Sequence, residues 1–130
     1  MDKKGFSLTQ VLFASFIVLI AVVALLLTYT FARQQMELGR EMSLVNNDAR
    51  DALERVFSVP FTDLTTVFPN NGSISESIVG GFQLRDEDIT ISYPAGVNAN
   101  PLVIDLTVSW TSFKNAARSE QFRVVRSQYL

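Results

Sequence analysis

The run Val11-Leu12-Phe13-Ala14-Ser15-Phe16-Ile17-Val18-Leu19-Ile20-Ala21-Val22-Val23-Ala24-Leu25-Leu26-Leu27 holds a single polar residue, Ser15, and sets the first element of this chain. The segment free of Asp, Glu, Lys and Arg is longer still, reaching from Gly5 to Ala32. Its about 28 residues would make a helix of about 42 Å, against a bilayer hydrocarbon core of about 30 Å. Neither Pro nor Gly interrupts it between Phe6 and Leu38. Lys3 and Lys4 precede it, whereas Arg33, Glu37, Arg40 and Glu41 follow it with mixed sign, so the charge rule puts the N-terminus inside. A removable secretory signal shares this grammar, and Thr30-Phe31-Ala32 would serve as a weak small-x-small cleavage site. The run exceeds the about 7–15 residues of a signal's apolar region, and a retained helix is expected.

Past Ala32 the composition turns polar while the helical period continues. Leu38, Met42, Val45, Ala49, Leu53 and Val56 recur at three or four residues and form one apolar stripe. Arg40, Glu41, Asp48, Arg50, Asp51, Glu54 and Arg55 lie between them and are expected on a solvated face, with Arg50–Glu54 and Asp51–Arg55 at the favourable spacing of four. Pro60 forces the preceding residue out of the helical region, so the helix should end near Ser58. The first half, apolar all round, suits lipid or the inside of a bundle; the second half has one stripe and needs a partner to cover.

The remaining chain supplies that partner. Residues 61–81 read as a loop-rich connection with a turn at Pro69-Asn70-Asn71-Gly72 and a break at Gly80-Gly81. Ile89, Ile91 and Tyr93 alternate with polar neighbours until Pro94. Leu102, Ile104, Leu106, Val108 and Trp110 alternate with Val103, Asp105, Thr107 and Ser109, the clearest period of two in the chain. Residues 114–118 read as a hairpin connection into a last strand carrying Phe122 and Val124. The expected fold class is α+β: a long N-terminal helix whose second half packs on an antiparallel sheet of three or four strands.

Composition excludes much chemistry. With no Cys and no His, disulfides, thiolate zinc sites, cysteine nucleophiles and the commonest general base are absent. The Ser residues therefore have no His base, and no catalytic constellation is found, so the chain reads as a non-enzyme with no cofactor. Asp86-Glu87-Asp88 is the densest acidic cluster, but it lacks the Asp-x-Asp-x-Asp-Gly pattern of a calcium loop and reads as a charged turn; no metal site is expected. Lys114, Arg118, Arg123 and Arg126 gather near the C-terminus and are the candidate contacts for a phosphate-bearing ligand. A net charge of −2 gives no global attraction to nucleic acid. Trp110 reads as a core or sheet-face aromatic rather than a binding platform.

The front edge narrows the function. Lys3-Lys4-Gly5-Phe6-Ser7-Leu8-Thr9-Gln10-Val11, abutting the apolar helix, resembles the type IV prepilin signature. In that family a short basic leader ends in Gly, the cut falls before Phe or a similar residue, and the new N-terminus opens a long apolar helix. The resemblance implies cleavage between Gly5 and Phe6 by a prepilin peptidase and methylation of the Phe6 amine by the same enzyme. It also implies a role in assembly for Gln10, the fifth mature residue, where the family normally has Glu. Leu106-Thr107-Val108-Ser109-Trp110, the polar hairpin and the alternating terminal strand are similar to the end of small minor pilins and I-type pseudopilins of type II secretion. The lack of Cys separates the chain from major pilins that close a C-terminal loop with a disulfide.

Four segments follow: a leader at 1–5, a transmembrane or filament-core half-helix at 6–32, an amphipathic half-helix at 33–59, and a β-rich extracytoplasmic domain at 60–130. The implied protein is a minor pilin-like structural subunit. It starts in the bacterial cytoplasmic membrane as a single span, N-terminus inside, and then joins a type IV pilus or type II secretion pseudopilus beside other pilin or pseudopilin subunits. Two alternatives remain open: a minor pilin that binds DNA or a secreted substrate, and an unprocessed anchored extracytoplasmic domain.

Overall fold

The computed structural model describes residues 5, 7–74 and 81–128. Its elements are α1 (Leu8–Ser58), α2 (Leu64–Val67), β1 (Gly72–Ile74), β2 (Arg85–Ser92), β3 (Leu102–Thr111) and β4 (Ala117–Arg126). The chain divides into two compact units, Met1–Glu37 and Leu38–Leu130, with part of α1 in each.

In the first unit, α1 begins with a reciprocal cap. The Ser7 hydroxyl accepts from the Gln10 backbone N–H at 3.3 Å, and the Gln10 Oε1 accepts from the Ser7 N–H at 3.2 Å. This capping box satisfies two backbone donors that a helix start otherwise leaves open. Three hydroxyls of the uncharged segment turn back on the helix itself: Ser15 donates to the Leu12 carbonyl at 2.8 Å, Thr28 to Ala24 at 2.9 Å and Thr30 to Leu27 at 2.8 Å. The segment thus asks little of its surroundings for hydrogen bonding, as a helix in lipid must. Phe13, Phe16, Leu19 and Leu25 are each 60–70% exposed. This stretch of α1 is long and apolar enough to cross a membrane.

The second unit is the α+β domain. Its four strands form one antiparallel sheet in the order β1-β2-β3-β4. The period of two sorts the side chains: Ile89, Ile91, Leu102, Ile104, Leu106, Val108 and Trp110 face the helix and are buried. They meet Val45, Ala49, Ala52 and Val56 of α1, with Leu64 and Phe68 closing one end and Met42 and Leu53 packing at the margin.

Three local expectations are revised. Residues 61–81 contain α2 and β1 rather than loop alone; β1 is three residues long, below what a period of two can reveal. The expected turn is present within that segment, with the Gly72 N–H donating to the Pro69 carbonyl at 2.9 Å. A Cβ on Gly72 would lie 2.8 Å from that carbonyl oxygen, so the turn requires glycine. The hairpin connection spans 112–116, not 114–118: Ala117 and Arg118 already pair with Thr111 and Trp110. Asn115, at φ 57°, takes the left-handed turn position that Asn tolerates. Finally, Asp86-Glu87-Asp88 lies inside β2, where the register with β3 shifts between Arg85 and Asp88, and is not a turn before the strand.

The core makes a truncation test decisive. A chain beginning at Leu38 should retain a cooperative thermal transition by circular dichroism. One beginning at Val59 should lose it, because the apolar face of β2 and β3 would have no cover; a cooperative melt of that shorter chain would show the helix to be dispensable.

Candidate functional site

At the N-terminal junction, Gly5 is exposed, and a Cβ there would have no atom within 4 Å. Phe6 and the leader residues 1–4 lie outside the described residues, and with them the cleavage partner and the methylation position. Gln10 sits in the first turn of α1 with its side chain engaged in the cap described above.

The helix–sheet seam is where the sequence reading needs most correction. Glu41 and Asp48, assigned to the solvated face, are buried, at 8% and 7% exposure. They fall in phase with Val45, Ala49, Ala52 and Val56, so the buried line of α1 is an apolar stripe with two acids built into it. The Glu41 carboxylate accepts from the Phe113 N–H at 2.8 Å, from the Ser112 hydroxyl at 2.9 Å and from the Trp110 Nε1 at 3.4 Å. Burial alone would raise its pKa. The Phe113, Ser112 and Trp110 hydrogen bonds, with help from the Arg118 charge, outweigh that and hold it below its ordinary value. Glu41 therefore pins the start of the β3–β4 turn onto the helix.

Asp48 faces Glu87 of β2, itself 8% exposed, while Glu87 Oε2 accepts from the Leu84 N–H at 3.1 Å. On the opposite sheet face, Asp105 of β3 is buried beneath Arg123 of β4, which grips it with Nε at 2.6 Å and Nη2 at 2.7 Å. Gln121 Nε2 adds a third donor at 3.1 Å. The Arg123 hydrogen bonds hold Asp105 below the usual carboxylate range, against the opposing effect of burial.

The four basic candidates do not converge. Arg118 and Arg126 share a face of β4 but lie eight positions apart, about 26 Å along a strand. Arg126 donates to the Val56 carbonyl at 3.1 Å and stacks on Phe57, so it closes the C-terminal end of α1. Arg123 is on the other face, committed to Asp105. Lys114 is in the turn, over the Phe113 ring. Trp110 is buried, 3% exposed, as the core aromatic that its alternation implied. Arg50–Glu54 and Asp51–Arg55 are not among the ion pairs seen within 4 Å between described residues, which include Arg85–Asp86 and Arg123–Asp105. A surface depression between Phe61, Thr65, Val97, Asn98, Asn100 and Gln128 is lined by no charged side chain. Among the described residues, no group of three or more Asp or Glu could hold a metal ion.

The residues that the sequence reading missed are Glu41, Asp48 and Ser112. A signal existed for the acids: Glu41 and Asp48 are seven apart, and so repeat on one helix face in phase with the stripe. Ser112 carried none, because its role depends on where the turn meets the helix.

Taken together, these features define an α+β domain carried on the C-terminal part of a helix whose N-terminal part is long and apolar enough to cross a membrane. Comparison of the chain with family models, with curated proteins and with solved structures gives no match.

Removing the Glu41 carboxylate should strand the buried Ser112 hydroxyl and its neighbouring donors. Glu41→Ala is expected to cost about 2–4 kcal/mol and Glu41→Gln about 1–2 kcal/mol, since an amide oxygen still accepts but without charge. Unfolding followed by the fluorescence of the single Trp would measure both. The contribution of Glu41 is present above its unfolded pKa and is lost as pH falls through the lower folded value, so the variants should differ least from the natural chain in acid.

Proposed function

We propose that this protein is a prepilin-like structural subunit, cleaved between Gly5 and Phe6 and assembled through its apolar helix into a type IV pilus or type II secretion pseudopilus as a minor component. The observation that carries this reading is the sequence Lys3-Lys4-Gly5-Phe6-Ser7-Leu8 directly before a helix that starts at Leu8 and exposes its apolar side chains. A helix of that kind needs lipid or other helices around it, and a subunit that moves from membrane to filament keeps it in apolar surroundings throughout. Ala14, Ser15, Ala21 and Ala24 are small enough for neighbouring helices to approach closely.

Gln10 shapes the proposed position in the filament. In pilins, Glu at this place is thought to pair with the N-terminal amine of the next subunit inside the apolar core. Gln10 can accept a hydrogen bond from such an amine but cannot neutralise it. A buried charge without a counter-charge costs several kcal/mol, a deficit that a repeating subunit would meet at every step. A subunit at or near the tip meets it at most once. DNA or substrate binding through the last hairpin is the weaker reading, because Arg123 and Arg126 are already engaged within the domain.

N-terminal mass analysis of the membrane-extracted chain should find it beginning at methylated Phe6, and Gly5→Glu should prevent this. Retention of residues 1–5 in peptidase-proficient cells would instead identify a permanently anchored domain. In sheared filaments the subunit should be present at a few per cent or less of the major subunit, on the order of a cap rather than a repeat; near-equal abundance would refute the proposed tip position.

A further inference from the structure

We propose that Asp48 and Glu87 hold one proton between them, forming a carboxyl–carboxylate clasp that fastens α1 to β2 and slackens when the proton leaves. Both side chains are more than nine-tenths buried, one on the helix and one on the strand packed against it. Asp48 Oδ2 and Glu87 Oε1 are each fully buried and have no hydrogen-bond partner as long as both groups are written as carboxylates. A carboxylate only accepts, so two of them cannot satisfy each other; one proton turns one group into a donor and answers both vacant oxygens at once. The remaining oxygen of Glu87 is occupied by the Leu84 N–H.

The surroundings favour the shared proton over two anions. The groups acting on the pair are Asp51 from α1, which is also negative, and the backbone N–H groups of Leu84 and Gln83 ahead of β2. Among the described residues, no cation is one of them. Burial raises both carboxyls above their ordinary values, and the proximity of Asp48 adds to this for Glu87, which is pushed up to about 7. Because the folded values are raised, the stabilisation is complete below about pH 4.5 and is lost as pH rises through about 7. Glu41 and Asp105 have the opposite sign, with contributions lost only in acid, so the two effects occupy separate windows. The grip of α1 on β2 is thereby made responsive to pH around neutrality.

An amide at either position would imitate the protonated acid, donating one N–H to the remaining carboxylate without titrating. The experiment is thermal unfolding of the full-length chain in detergent micelles from pH 5 to 8.5, with Glu87→Gln and Asp48→Asn beside it. The natural chain should lose Tm across this range, and each variant should stay nearly flat, becoming the more stable protein at pH 8.5. The folding constant of Glu87→Gln relative to the natural chain should rise about ten- to a hundredfold over the range. Infrared difference spectra of the natural chain should also show a buried carboxylic-acid band at pH 5.5 that disappears by pH 8.5, which tests the pair even if a variant fails to fold. Equal pH slopes in all three proteins, or absence of that band, would overturn the clasp. So would recovery of stability at pH 8.5 by millimolar calcium and its reversal by EDTA, since the pair would then be a cation site.

Discussion

The rest of the domain depends on the cover that residues 41–56 of α1 give to the apolar face of β2 and β3. An antiparallel sheet with one apolar face must bury it, and a small domain without disulfides has few other means of stability. The helix provides the cover with Val45, Ala49, Ala52 and Val56, all buried. Each fully buried Ile, Leu or Val on the sheet gains about 1.5–3 kcal/mol relative to exposure, and that gain exists only while the helix is seated.

Apolar contact alone would let the helix slide or rotate on the sheet. Three polar contacts work against this at different heights of the seam. Glu41 holds the β3–β4 turn, Asp48 meets the start of β2, and Arg126 closes the last helical carbonyls at Val56. Each has a geometric requirement that oil-like packing lacks, and each penalises misalignment by leaving a buried polar group unpaired. The Asp105–Arg123–Gln121 group does the equivalent on the outer face, tying β4 to β3 in one register.

The first unit follows a different physics. Its apolar side chains Phe13, Phe16, Leu19 and Leu25 are exposed, and the Ser15, Thr28 and Thr30 hydroxyls are satisfied on helix carbonyls, so this stretch depends on its solvent more than on tertiary packing. Its capped beginning at Ser7–Gln10 matters for the same reason: in an apolar medium the open N–H groups of a helix start are costly. Gln serves here as Glu also can in a capping box, so the cap needs no charge at this position.

Periodicity and chemistry along the chain were enough to determine the apolar helix, its end before Pro60, the amphipathic second half and the alternation of β3, because each arises from neighbours within a few residues. The same local logic gave the turn at Pro69–Gly72 and the fold class. Only the tertiary structure decided that Glu41 and Asp48 are interior, that Asp86-Glu87-Asp88 belongs to a strand, and that the four basic residues near the C-terminus part company. The reason is the same in each case: a charged side chain reads as solvated until a partner distant in sequence satisfies it. Ser112, Phe113, Glu87, Asp105 and Val56 are such partners, brought within hydrogen-bond range by the fold alone.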